Sequence, residues 1–166
     1  MPLVKHGELV ADPWTRLDDD AALIDGPVVV TLARWKEERE TLIGRNGPLG
    51  IVLASNESPE ALAGDVLRFD LICLEFPKFT DGRAYSHARK LRQRYGFTGE
   101  LRAVGNVLRD QFLFMQRCGF DAFEIAGDVH LEDWLGAITE ISVAYQAAAD
   151  GRAAAMVQRQ GTCDGR

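Results

Sequence analysis

Cysteine is scarce in this chain, and the three present, Cys73, Cys118 and Cys163, lie far apart with no CxxC pair and no cysteine–histidine cluster. That spacing offers neither a zinc site nor a cysteine-ligated iron–sulfur cluster. Histidine is equally sparse: His6, His87 and His130 occupy separate segments, so spacing suggests no metal site and no Ser-His-Asp assembly. No run of apolar residues approaches membrane-spanning length, and Met1 to Val10, with Lys5, His6 and Glu8, lacks the apolar core of a secretory leader. Phosphate loops are missing too. There is no GxxxxGK[ST], and GRNGPLG is misspaced for GxGxxG and precedes a strand where a dinucleotide loop would follow one. No motif for NAD, FAD or ATP is present, and no cofactor is evident. Excess positive charge is absent as well: the net charge is -6 and the pI about 5.1, which argues against nucleic-acid and anionic-membrane partners and suits a cytoplasmic protein.

What is present reads as an α/β domain. At 166 residues and 46% hydrophobic, the chain can bury a core without disulfides or a structural metal. Two short extended runs, LVK and ELVA, flank His6-Gly7 and read as a small N-terminal hairpin. After Asp18-Asp19-Asp20 and Gly26-Pro27, VVVTL marks a buried strand and ARWKEERETLI a helix. Gly50 to Ala54 repeats the strand signal, and Ser58-Pro59-Glu60 offers a capping residue followed by proline at a first helical position. Further strands are expected at Asp70–Phe76, Glu100–Val104 and Phe120–Ile125, followed by helices at Arg83–Tyr95, Val107–Cys118 and Val129 to about Ala149. Asn106 and Asp128 are candidate N-caps and Gly119 a terminator. Alternation of this kind implies a mostly parallel sheet of about five strands with helices between them, as an open sheet or partial barrel. Residues 1–150 are expected to form one domain and 151–166 a flexible polar tail.

Helical stripes support this order. Ala84, Ala88, Leu91 and Tyr95 share one face, as do Leu131, Leu135, Ile138, Ile141 and Tyr145. Phe112 and Phe114 with Met115 read as helix core, as do Cys73 in LICLEF and Cys118 beside Gly119, which leaves Cys163 as the exposed thiol.

Chemistry is expected at the carboxyl ends of the strands, where loops and helix N-termini gather. Glu75 nears the end of the third central strand, and the connection after it carries Lys78, Thr80, Asp81, Gly82 and Arg83. Lys78 and Arg83 could hold an oxyanion such as sulfite, phosphate or a carboxylate, with Gly82 keeping the backbone accessible and Asp81 serving as an N-cap. From Lys78 to Arg94 six Lys/Arg face one acid, a local charge of +5 that leaves -11 on the rest of the chain. A solvated helix face explains Arg89 to Arg94 at least as well as binding does. Glu100 and Arg102 share one face of their strand, need partners if buried, and could meet Glu75. Asp110 and Gln111 could approach the same edge. The reading expects Glu75, Lys78, Arg83 and Arg102 to converge there as an anion-binding or partner-binding site.

At LEFPKFTDGRAYS, ELRAVGNVLRDQ and RCGFDAF the chain resembles an uncharacterised bacterial domain family whose members are labelled as oxidoreductases involved in sulfite reduction. The likeness runs from Pro27 to Ile125 and includes VVVTLARW and PLGIVL. Asn106 stands where many relatives carry aspartate, which speaks against a catalytic acid at that position. The family brings no catalytic residues to transfer. What the resemblance implies is membership of the sulfite-reduction pathway, with sulfite reductase as a partner and no catalytic role assigned. The resulting expectation is an accessory or electron-delivery adaptor for sulfite reductase. The alternative is a small enzyme binding an anionic sulfur or phosphate metabolite at the strand ends.

Overall fold

The computed structural model describes residues 1–125 apart from His6 and Phe79, and the side chain of Ala63 is also left aside. The expected helix at 129–149, the Asp128 cap, Cys163 and the tail at 151–166 lie outside the described residues. Among these residues no helix is long and apolar enough to cross a membrane.

The strands are β1 (Leu3–Lys5), β2 (Glu8–Val10), β3 (Thr15–Arg16), β4 (Val28–Thr31), β5 (Leu49–Leu53), β6 (Leu71–Phe76), β7 (Glu100–Gly105) and β8 (Ala122–Glu124). They form one sheet in the order β2-β1-β8-β7-β6-β5-β4-β3. From β3 to β8 every neighbouring pair is parallel, while β1 runs antiparallel to both β8 and β2. The expected five parallel strands are therefore all present, but the sheet has eight strands among the described residues. The N-terminal hairpin forms as expected and belongs to the sheet, because β1 pairs with β8 through Leu3, Val4 and Lys5.

Crossovers of one handedness between successive neighbours place the described helices on the same side. Helix α1 (Leu32–Gly44) starts at the Thr31 cap, whose hydroxyl accepts from the Arg34 amide at 3.1 Å, and kinks at Glu38. The next crossover is a 3₁₀ helix, Pro59–Arg68, in place of the α-helix that Ser58-Pro59-Glu60 suggests. Ser58 holds the N-cap position without capping a backbone amide, and its hydroxyl pairs with Glu60 instead. Helix α2 spans Arg83–Gln93. Helix α3 spans Phe112–Cys118 and follows a short 3₁₀ turn, Arg109–Gln111, so Asn106 is not its cap. The Asn106 amide donates to the Phe76 carbonyl at 2.7 Å, which ties the ends of β6 and β7 together. Gly105 makes that approach possible: its φ is +89° and a Cβ there would sit 2.6 Å from the Phe76 oxygen.

The sheet's helical face holds the main core. Val28, Val30, Ile51, Leu53, Ile72, Leu74, Phe76, Leu101 and Phe123 pack beneath Leu32, Trp35, Leu42, Leu62, Ala84, Ala88, Leu91, Phe112 and Met115. The alternate residues point the other way and build a second cluster from Val29, Leu71, Cys73 and Val104, with Trp14 and Val52 against it. Gly50 belongs to this face, where a Cβ would lie 3.1 Å from Val29 Cγ2 and 3.2 Å from Leu71 Cβ. Strand alternation thus makes two cores, one under the helices and one inside a concave surface.

The curvature follows from chain connectivity. The two edge strands, β2 and β3, are joined only by Ala11–Trp14. Five residue steps reach at most about 17 Å, whereas seven strand spacings across a flat sheet need about 34 Å. The sheet must therefore roll until its edges face each other, and side chains confirm it: Arg16 on β3 donates to Glu124 on β8 at 2.8 Å. Within the rolled surface Arg102, 1% exposed, donates through Nε to Glu100 (3.0 Å), through Nη1 to Asp12 (2.7 Å) and Glu124 (3.3 Å), and through Nη2 to Asp12 (3.1 Å) and Glu100 (2.8 Å). Lys5 on β1 completes the set on Glu100 at 2.8 Å. Three cations and three carboxylates form a neutral clasp across the concave face.

Replacing Arg102 with alanine leaves Asp12, Glu100 and Glu124 crowded together with one guanidinium gone. The expected loss of stability is about 3 kcal/mol or more, and Arg102→Lys recovers little because an ammonium cannot reach three carboxylates in a planar fork. Urea denaturation checks this, and a loss below about 0.5 kcal/mol, as for an ordinary surface position, would contradict it.

Candidate functional site

The β6–α2 connection supplies the basic groups nearest the carboxyl edge. Asp81 accepts from the Arg83 backbone amide at 3.2 Å and takes the Arg83 side chain in a bidentate pair, Nε at 2.9 Å and Nη2 at 2.6 Å. The same Nη2 donates to the Ser55 hydroxyl at 2.9 Å, joining this loop to the residues just after β5. Hydrogen bonds from Arg83, with help from Ser55, hold the Asp81 carboxyl well below the usual carboxylate range. The acid stays ionised and fixes the arginine. Arg83 Nη1 has no partner among the described residues, so two N–H donors of a positioned, 56% exposed guanidinium face outward. Lys78 is exposed and unpaired among the described residues, and Gly82 beside it is also exposed.

The basic residues between Lys78 and Arg94 differ in how many of their donors the protein itself uses. Arg92 spends its donors on the carbonyls of Gly119, Phe97 and Gly99 and on Asp121, and its guanidinium lies 5.4 Å from the centroid of the Phe97 ring. It is a structural rivet between α2 and two loops. Lys90 is occupied by Glu60 at 2.8 Å. Arg89 is exposed without an ion pair among the described residues, and Arg94 lies 5.7 Å from the centroid of the Tyr95 ring.

Arg102 does not join the edge group. All five of its N–H donors go to Asp12, Glu100 and Glu124, so no donor remains for an anion and none reaches Glu75. Burial opposes its charge, but the hydrogen bonds to Asp12 and Glu100 prevail and hold its pKa above the ordinary arginine value. Glu75 pairs in register with Val104, is half-buried, and forms no ion pair among the described residues. Asp110 is exposed in the turn after β7, while the Gln111 Oε1 is buried and unpartnered among the described residues. The structure thus brings Asp81, Gly82 and Arg83 together with Lys78 in one loop. Arg102 is assigned to the clasp.

Two features escaped sequence reasoning. Ser55 is buried and supports Arg83, a role set by a contact 28 residues distant with no local signal. A cavity of about 270 Å³ beneath the Ala11–Trp14 strap is lined by Leu3, Lys5, Val10, Ala11, Pro13, Trp14, Glu100 and Arg102. Its charged floor is the closed clasp.

The family model described as bacterial protein of unknown function (DUF934) matches residues 50–156. The chain belongs to this family. The match takes in β5 to β8, α2, α3 and the Lys78–Arg83 loop, while β1 to β4 and the clasp residues Lys5, Asp12 and Arg16 precede it. No curated protein and no solved structure matches the chain.

Cys73 lies beside Arg102 on the concave face, and burial pushes its thiol up to about 12 despite the nearby arginines. It is expected to resist alkylation in the native protein at neutral pH and to react only on unfolding. Peptide mapping after iodoacetamide with and without guanidinium checks this. Native-state labelling of Cys73 at a rate near that of a free thiol would show that the concave face opens readily.

Proposed function

We propose that this protein is an accessory factor in assimilatory sulfite reduction that acts with sulfite reductase, as an adaptor or in electron delivery. The observation that carries the reading is the separation of charge by availability: Lys78, the outer donors of Arg83, and Arg89 are open, while Lys90, Arg92 and Arg102 are occupied. Open cations on a chain of net charge -6 suit a steered contact with an acidic protein surface. The pathway comes from the resemblance of LEFPKFTDGRAYS, ELRAVGNVLRDQ and RCGFDAF to a family so labelled.

A second reading uses the same edge. Arg83, fixed by Asp81 and Ser55 with Nη1 outward, has the form of an anion contact, and a small sulfur or phosphate metabolite would take the position of a partner's carboxylate. Such a protein would be a small α/β enzyme.

Deleting the gene in its host is expected to impair growth on sulfate or sulfite and to leave growth on cysteine intact. Lys78→Ala with Arg83→Ala should fold normally, since exposed charges contribute little stability, yet fail to restore growth. Equal growth of the deletion strain on all three sulfur sources would contradict the pathway assignment, and full complementation by the double variant would remove these two residues from the site. Calorimetric titration of the purified protein with sulfite and with phosphate separates the readings: binding lost in the double variant favours the enzyme.

A further inference from the structure

Phe114 departs from the helix-core expectation. Its neighbours Phe112 and Met115 are fully buried, but Phe114 is 57% exposed, and Leu108, at the approach to α3, is 37% exposed. Single exposed apolar residues are common and carry little meaning. Here the exposed ring is held in place. Phe76, in the core, packs edge-on against Tyr85 at a centroid distance of 5.0 Å, and Tyr85 packs against Phe114 at 4.8 Å. This three-ring ladder runs from the sheet to the surface and fixes Phe114 before any partner arrives, which lowers the ordering cost of burying it in a complex. Tyr85 and Arg89 lie one turn apart on α2, on the side towards α3, and the charge of Arg89 is felt at the Cys118 thiol on α3. Arg89 is exposed and has no ion pair among the described residues, as is true of Lys78 in the loop beside the β7–α3 connection.

Concave-face chemistry gives no comparable site, because every donor of Arg102 is already taken. The α2–α3 surface differs: it combines a rigid aromatic anchor, a second apolar side chain and cations with open donors. Aromatic anchors ringed by polar groups are where binding energy concentrates in protein interfaces.

We propose that Phe114, Tyr85, Leu108 and Arg89 form the docking surface for an acidic protein, with Phe114 entering an apolar recess on it and Arg89 and Lys78 meeting carboxylates at the rim. The proposal rests on the partner reading above and names its surface. The test uses the full chain and purified sulfite reductase from the same organism, with affinity measured at about 50 mM and about 300 mM salt. Phe114→Ser is expected to weaken binding about tenfold or more at both salts. Arg89→Glu is expected to weaken it chiefly at low salt and to flatten the salt dependence. Both positions are exposed, and unchanged melting curves confirm that the variants fold. Wild-type affinity in both variants would overturn this surface while leaving the partner in place. No binding by the wild-type chain at either salt would overturn the partner reading and this surface with it. Self-association of the wild-type chain, lost in Phe114→Ser, would make the occupant a second copy and overturn the acidic partner.

Discussion

One guanidinium ties the strap between the edge strands to the middle of the sheet: Arg102 on β7 donates twice to Asp12 in the strap, twice to Glu100 and once to Glu124. Arg16 and Lys5 bring the edge strand β3 and the hairpin strand β1 into the same network. The short strap forces the sheet to roll, and rolling buries the concave side chains, so charges placed there must be matched. Neutrality of the clasp is what lets an arginine sit at 1% exposure beside Cys73 and Val104. With the concave side closed by the strap and the clasp, the helices are confined to the convex side and the loops that follow the strands are left free at the carboxyl edge.

That division assigns the basic residues. A guanidinium whose donors are all taken by the protein is architecture, and Arg102 answers to that description; Arg92, with donors on the carbonyls of Gly119, Phe97 and Gly99 and on Asp121, comes close to it. Arg83 is different in kind. Asp81 and Ser55 hold one side of its fork and leave the other open, an arrangement that positions a charge without neutralising its outer donors. Lys78 and Arg89 add open cations nearby, and the aromatic ladder from Phe76 through Tyr85 to Phe114 stiffens the same region.

Strong local patterns carried much of the fold in the sequence. VVVTL, GIVLA and LICLEF are β-branched or apolar runs that few other structures accommodate, and the Ala84, Ala88, Leu91 stripe lies on the sheet as its spacing implies. Strand β3 was illegible because two exposed residues, Thr15 and Arg16, carry no hydrophobic pattern and become a strand only by pairing with Val28 and Val29. The hairpin was legible, but its place beside β8 was not, since pairing over more than a hundred residues leaves no local trace. Glu100 and Arg102 announced a need for partners. Asp12 and Glu124 answer it from 90 and 22 residues away, and Glu75, which lies on the strand at the other side of β7, takes no part. Phe114 reads as core from its helical neighbours, yet its position on α3 turns it outward.

A double-mutant cycle on Asp12 and Arg102 measures whether the clasp holds the strap to the sheet. Unfolding free energies are measured for the wild type, Asp12→Asn, Arg102→Met and the double variant. A direct, half-buried, bidentate contact predicts a coupling of about 2 kcal/mol between the two positions, within the range seen for residues of one network. A coupling of about 0.3 kcal/mol or less, the behaviour of independent sites, would show that the strap is held by something other than Arg102 and would contradict the account.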